Sequence, residues 1–184
     1  MTHQTLVDGR PVHKITVLQG QVRVGDGPDE EFGTVLGSCI ATCLYDPEAG
    51  VGGMNHFLLA EPPKGLARGE VDVHYGVYLM EMLINAMLAR GARKSRMRAH
   101  LYGGANLHSG MSPIGSANAA FGRGFLEREG IPIQRADVGG TCARRVDFRP
   151  ATGQVRCRSV EPQFAPRARP QARPSRPLGD VELF

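Results

Sequence analysis

Residues 34–60 read TVLGSCIATCLYDPEAGVGGMNHFLLA, and the fold can be worked out from this stretch. Two apolar and partly β-branched runs, 40–45 and 51–59, lie on either side of the segment Asp-Pro-Glu-Ala-Gly. That segment is typical of a turn, because proline presets φ and glycine accepts the left-handed conformation. The pattern therefore predicts a β-hairpin.

Two reactive side chains, Cys39 and His56, lie at equal distances from the middle of this predicted turn. In an antiparallel hairpin centred there, the two residues would be directly opposite each other on one face. Their Cβ atoms would then be about 4.5–5.5 Å apart. A shift of the register by one residue would place them on opposite faces, so the prediction depends on the turn.

A thiol beside an imidazole has a chemical use, because the thiolate is the nucleophile and a neighbouring imidazolium lowers the pKa of a cysteine. Gly37 and Ser38 allow the backbone to turn closely before Cys39, which makes the Cys39 amide a candidate donor to an oxyanion. A third group usually orients the histidine. The local candidates for that role are Thr34, Ser38 and Asn55.

The rest of the chain alternates predicted strands with two predicted helices. We expect a strand, or two interrupted near Gly20, over 11–24, a loop over 61–70 and a main helix over 76–90. Further on we expect a strand over 96–102, a second helix from near Ser116 to just before Gly130, a strand over 131–138 and a hairpin of 144–149 with 154–160. The predicted fold class is α/β, a layered α+β sandwich in which a mostly antiparallel or mixed sheet packs with two helices.

The composition of the 184 residues, with 41% hydrophobic and 22% charged, is that of a globular protein. No apolar run approaches the roughly 18 residues of a membrane helix, and we expect a cytoplasmic protein without membrane insertion. Residues 162–177 carry four arginines, five prolines and no acid, which leaves 18 basic against 18 acidic residues elsewhere. The excess charge thus lies in a tail, which argues against nucleic-acid binding. We expect one domain over 1–160 and a flexible tail over 161–184.

The four cysteines have no spacing typical of a metal site, and we expect neither a metal nor a cofactor. In a cytosolic chain they should be reduced. A redox pair of Cys39 with Cys43 is disfavoured, because four residues of a strand span about 13 Å, too far for a disulfide.

The sequence LGSCIATCLYD followed by GGMNHFLL closely resembles the signature of the chemoreceptor glutamine deamidases, the CheD family of chemotaxis. The resemblance continues through LYGGAN at 101–106, IGSAN at 114–118, DVGG at 137–140 and the Thr-Gly of the last predicted hairpin. It covers roughly residues 12–160 in order. The pairing of LGSC with GGMNH at this spacing is the specific part of the match.

The resemblance implies a cysteine hydrolase that converts glutamine side chains of methyl-accepting chemotaxis receptors to glutamate. By matching of motifs, Cys39 is the nucleophile, His56 is the general base and acid, and Thr34 completes the triad. The family fold is a layered α/β domain. Some members bind a partner phosphatase of the CheC type, so receptors and such a phosphatase are the expected partners.

Two other functions fit the same residues. The first is a cysteine amidase with another substrate, for which a closed cleft would be expected instead of an open site. The second is an adaptor without catalysis that binds receptors or a CheC-type phosphatase. Hydrolysis of receptor methyl esters would use the same thioester as deamidation, so the sequence allows that activity as well.

Overall fold

The computed structural model of the chain describes residues 3–7, 10–59, 70–107 and 114–160, which form two β-sheets and two helices. The strands are β1 (His3–Val7), β2 (Arg10–Thr16), β3 (Val22–Gly25), β4 (Glu30–Leu36), β5 (Ile40–Asp46), β6 (Val51–Phe57), β7 (Arg98–Gly103), β8 (Ile133–Val138), β9 (Ala143–Arg149) and β10 (Gln154–Val160). The helices are α1 (Glu70–Ala89) and α2 (Ile114–Arg128), and a 3-10 turn covers Lys94–Arg96.

Each sheet has five strands. The outer sheet has the order β1-β2-β4-β9-β10, and the inner sheet has the order β3-β6-β5-β7-β8. The pairs β2–β4 and β7–β8 are parallel and the other pairs are antiparallel, so both sheets are mixed. Apolar side chains fill the space between the sheets, and the helices pack on the other face of the inner sheet. The predicted fold class, a layered α+β sandwich with two main helices, is confirmed.

Strand β5 is the centre of the inner sheet and is buried on both faces. Ala41 and Cys43 point to the outer sheet, whereas Ile40 and Leu44 point to the helices. A strand covered on both sides needs apolar residues at every position, which explains why 40–45 is an apolar run without alternation. This strand leads directly out of the segment that contains Cys39.

Most predicted elements are present, with shifted ends. Both predicted hairpins form, as β5–β6 and β9–β10, and the segment 11–24 is indeed broken near Gly20 into β2 and β3. Helix α1 begins at Glu70, earlier than its apolar spacing predicts. The predicted loop over 61–70, apart from Glu70, lies outside the described residues, and so does the tail over 161–184.

The turn of the β5–β6 hairpin is fastened to the segment after α1 by one fully buried carboxylate. Asp46 accepts hydrogen bonds from the amides of Glu48, Ala49 and Arg93 and from the guanidinium of Arg96. Burial alone would raise the pKa of Asp46, but these donors, led by the Arg93 amide, lower it to about 2. The far end of the hairpin is therefore fixed independently of Cys39.

Within the described ranges, no helix is long and apolar enough to cross a membrane.

Candidate active site

The register of the β5–β6 hairpin corrects the predicted placement of Cys39. His56 pairs with Ala41, not with Cys39, because Asp46 joins the ladder opposite Val51 and the turn contracts to residues 47–50. The difference from the predicted register is two residues. Cys39 comes just before the first residue of the ladder and packs into the same cluster between the sheets as Ala41, the partner of His56.

Thr34 and His56 come from different sheets and meet between them. Thr34 lies on β4 of the outer sheet, and its Oγ1 is 2.9 Å from Nδ1 of His56 on β6. The same hydroxyl donates its proton to the carbonyl of Val17, at 2.8 Å. Because the hydroxyl proton is already donated to Val17, the contact between Thr34 and the ring needs a proton on Nδ1. The Nδ1 atom also lies 3.3 Å from the Val17 carbonyl oxygen. This pattern assigns the Nδ1–H tautomer to His56.

The other ring nitrogen, Nε2, is left with a free lone pair. Nε2 of His56 is buried and has no hydrogen-bond partner among the described residues. Burial lowers the pKa of His56 below its ordinary value, and the Val17 carbonyl opposes this shift only in part. The imidazole is thus neutral at neutral pH, with its basic nitrogen open to accept a proton.

The thiol of Cys39 is half-buried and protonated in this arrangement. Burial raises its pKa to about 11, and the amide of Cys39 itself opposes part of the rise. Within the described residues, the thiol is hydrogen-bonded to Oε1 of Gln19, at 3.8 Å, and not to His56. The expected imidazolium that stabilises a thiolate is therefore not the resting state. The site rests as a thiol beside a neutral base.

A glycine-rich turn after β7 supports the backbone around Cys39. Ala105 donates its amide proton to the Gly37 carbonyl at 2.9 Å, and Gly104 donates to the Cys39 carbonyl at 2.8 Å. Gly103 has a φ of +107°, and a Cβ there would collide with the Cys39 carbonyl oxygen. The backbone of the LYGGAN motif therefore lies directly against Cys39, an approach that a side chain at Gly103 would block.

Asn118 on α2 holds this segment from the other side and was not predicted as a site residue. It is fully buried, its Nδ2 donates to the Ser38 carbonyl at 2.7 Å, and its Oδ1 accepts from the Leu59 amide at 2.9 Å. The C=O and N–H of one peptide point in opposite directions, so this bond turns the Cys39 N–H away from α2. The signal that could have found Asn118 was its place in the IGSAN motif.

The two residues predicted as positioning groups have different positions. Ser38 lies next to the nucleophile, and its main-chain carbonyl is the group that is anchored. Asn55 points to the opposite face of β6 from His56, because neighbouring residues of a strand alternate. Its Oδ1 accepts from the Thr42 amide at 3.0 Å, and its Nδ2 is 3.2 Å from Sδ of Met80 on α1. Asn55 therefore fastens α1 to the inner sheet and lies outside the site.

Within the described part of the chain, no three His, Cys, Asp or Glu side chains are grouped so that they could hold a metal ion. Cys39 and Cys43 are both free thiols, and Cys43 is fully buried. The arrangement offers a candidate nucleophile in Cys39 and a neutral candidate base in His56, whose Nδ1–H is oriented by Thr34.

Comparisons with known proteins identify the family of the chain. The model of the CheD family, described as CheD chemotactic sensory transduction, matches residues 58–159. A Zymomonas mobilis protein named probable chemoreceptor glutamine deamidase CheD is 54% identical over 177 residues, which cover 93% of this chain and 92% of that protein. A Caulobacter vibrioides protein with the same name is 50% identical over 175 residues, with 93% of each chain covered.

Similarity to solved structures is more distant. A Neisseria meningitidis protein of the DUF152 family aligns with 71% of this chain and 65% of its own at 12% identity, with a TM-score of 0.48. The family model and the long, highly identical relatives are the decisive findings. On these grounds the chain belongs to the CheD family.

Proposed function

We propose that this chain is a chemoreceptor glutamine deamidase, which hydrolyses side-chain amides of glutamines in methyl-accepting chemotaxis receptors to glutamate and ammonia. Its relatives at 54% and 50% identity carry that name. The observation that carries the proposal is the geometry of His56, whose Nδ1 is bonded to Thr34 while its buried Nε2 has no partner in the described chain. His56 pairs with Ala41, and Cys39 packs into the same cluster between the sheets as Ala41.

In the first half of the reaction, His56 Nε2 takes the thiol proton as the sulfur of Cys39 attacks the amide carbon. A carbon–sulfur bond forms, and the electrons of the carbonyl move to oxygen. When the tetrahedral intermediate collapses, the carbon–nitrogen bond breaks and His56 returns its proton to the departing ammonia. Thr34 stabilises the imidazolium that exists between these steps, because its hydroxyl oxygen accepts from Nδ1–H.

In the second half, water replaces ammonia. His56 Nε2 removes a proton from the water, whose oxygen attacks the thioester carbon, and the Cys39 sulfur leaves with the proton that His56 gives back. The product is a glutamate, which adds one negative charge to a receptor helix and alters its repulsion with neighbouring carboxylates. All these steps use side chains of the chain itself.

An open site suits a protein substrate better than a small molecule. Cys39 is half-buried at a loop, and the neighbouring Gln19 is exposed. A glutamine on the surface of a receptor helix could reach such a thiol without the helix being unfolded. Because the target glutamines lie in the cytoplasmic domains of receptors, the enzyme acts in the cytoplasm. A phosphatase of the CheC type is a second partner that we propose on the family resemblance alone.

The proposal is tested by incubation of the protein with the purified cytoplasmic domain of a methyl-accepting receptor. We expect release of ammonia together with the mass increase of a deamidation at defined receptor glutamines. Free glutamine and asparagine, supplied at the same concentration, serve as small-molecule controls and should release far less ammonia. Equal or faster release from free glutamine would favour a small-molecule amidase. Tight binding of the receptor without release would favour the adaptor function.

A further inference from the structure

Gln19 contacts the sulfur of Cys39 but is not a member of the triad. It lies in the loop between β2 and β3, and its Oε1 is 3.8 Å from Sγ of Cys39. The side chain is exposed, so it is not placed there by core packing. A neutral carboxamide is thus held at the surface directly against the nucleophile.

The loop that carries Gln19 is fixed to the strand that carries His56. Gly20 donates its amide proton to the His56 carbonyl at 2.7 Å, and the His56 amide donates to the Gln21 carbonyl at 3.1 Å. The side chain of Gln21 accepts a hydrogen bond from the Leu18 amide at 3.1 Å. On its other side, the loop begins with Val17, whose carbonyl accepts from Thr34. The main chain of the loop at Gln19 is therefore held by the same strand and carbonyl that hold His56 and Thr34.

Acylation of Cys39 requires stabilisation of a negative charge on oxygen, and the triad does not provide it. The attack places a negative charge on the former amide oxygen of the substrate, and such an oxyanion is usually stabilised by two aligned donors. The Cys39 amide can be one of them, because among the described residues it donates to no other group. Neither Thr34 nor His56 can be the second, because the hydroxyl and the ring are committed to each other.

Resting on the proposed deamidase function, we propose that Gln19 is a catalytic residue that supplies the second donor of the oxyanion hole. The terminal torsion of the Gln19 side chain has two broad minima. Rotation about this bond can therefore bring the NH₂ group to the position of the carbonyl oxygen without movement of the loop. In the resting enzyme the carbonyl oxygen accepts from the thiol. In the intermediate the Nε2–H of Gln19 and the N–H of Cys39 donate to the oxyanion.

The electrons balance in this step without any further reagent. The sulfur forms a bond to the amide carbon, the carbonyl electron pair moves to oxygen, and the thiol proton is on His56 Nε2. When the oxygen re-forms the carbonyl, the carbon–nitrogen bond breaks and the proton goes to the leaving ammonia. Gln19 neither gains nor loses a proton, so its contribution is independent of pH.

The test compares Gln19→Ala with wild type in deamidation of a receptor cytoplasmic domain. We expect kcat to fall about 100-fold with little change in KM, the loss typical of one oxyanion donor. The rate at which iodoacetamide alkylates Cys39 should stay within about twofold of wild type, because that displacement forms no oxyanion. Gln154→Ala is the matched control, since Gln154 lies on β10 in the outer sheet, and it should keep full activity.

Two results would overturn the inference. The first is a Gln19→Ala variant with kcat within about threefold of wild type. The second is conversion of Gln19 itself to glutamate in wild type but not in Cys39→Ala, read by peptide mass, because Gln19 would then be a substrate and not a donor. If wild type deamidates no receptor at all, the proposed function fails instead. A melting temperature of Gln19→Ala equal to that of wild type shows that the loss is not one of folding.

Discussion

The protonation states of Cys39 and His56 determine how the site is activated. Burial keeps the thiol protonated, with a pKa of about 11, and keeps the imidazole neutral. The two shifts act in the same direction, because each disfavours the charged form of its group. In the proposed mechanism the thiolate therefore forms only when His56 takes the proton.

This resting state predicts a simple pH profile. We expect kcat/KM for receptor deamidation to be flat from about pH 7 to 9 and to fall in acid, because protonation of His56 Nε2 removes the base. The midpoint of the fall should lie below 6.5, the ordinary value for histidine. Alkylation of Cys39 by iodoacetamide, measured in a Cys142→Ser background because Cys142 is exposed, should rise with pH toward about 11. A plateau of the alkylation rate near neutral pH would indicate a thiolate–imidazolium pair instead.

Replacement of Thr34 should reduce catalysis without abolishing it. Thr34→Ala removes the 2.9 Å acceptor of Nδ1, but the Val17 carbonyl at 3.3 Å remains to orient the ring. A lost hydrogen bond of this kind is worth about 1–1.5 kcal/mol, so we expect kcat to fall about tenfold. Thr34→Ser keeps the hydroxyl and should restore most of the rate. If Thr34→Ser were as slow as Thr34→Ala, the role of Thr34 would be packing and not hydrogen bonding.

Among the elements, strand β6 depends on a glycine that faces α1. A Cβ at Gly53 would lie 2.6 Å from Cδ1 of Leu83 and 2.8 Å from Cγ2 of Val24. Gly50, in the turn, has a φ of +64°, and a Cβ there would make only an ordinary 3.9 Å contact with the Ala151 carbonyl oxygen, a position that asparagine accepts. We expect Gly53→Val to lower the free energy of unfolding by about 2 kcal/mol or more, and Gly50→Asn by less than about 1 kcal/mol. Urea unfolding measures both, and equal small effects would contradict the packing of α1 on β6.

At the level of elements, the sequence was a good guide to identity and a poorer one to register. Periodicity and turn residues predicted both hairpins and both helices, because those signals are local. The predicted pairing of Cys39 with His56 was wrong by two residues, because the turn can close with Asp46 either in the loop or in the ladder. The choice depends on Asp46, whose partners Arg93 and Arg96 lie some fifty residues away. The register difference of two residues equals the period of side-chain alternation, and Cys39 still packs into the cluster between the sheets.

For the whole molecule, the site is a product of the two-layer arrangement. Thr34 comes from the outer sheet and His56 from the inner sheet, while Asn118 comes from a helix. Pairing of distant strands leaves no local pattern, so the residues alone left Thr34, Ser38 and Asn55 as candidates and the family resemblance selected Thr34. Gln19 lacked a motif altogether. Residues that act through long-range contacts are the part of a site that a single sequence does not predict.

We predict that the chain divides into a domain over 1–160 and a tail over 161–184. The described core uses residues up to Val160, the last residue of β10, and all ten described strands lie before the tail. Truncation after Val160 should therefore leave the melting temperature nearly unchanged. A large decrease in thermal unfolding experiments would show that residues such as Phe164 or Phe184 pack on the domain.

The most direct test of the central claim is site-resolved mass spectrometry of a receptor cytoplasmic domain after incubation with wild type, Cys39→Ala and His56→Ala. We expect conversion of defined glutamines to glutamate by wild type and by Cys43→Ala, the matched control on the adjoining strand β5. We expect no conversion by Cys39→Ala or His56→Ala, with both variants folded by circular dichroism. Deamidation by Cys39→Ala at the wild-type rate would contradict the cysteine-hydrolase account.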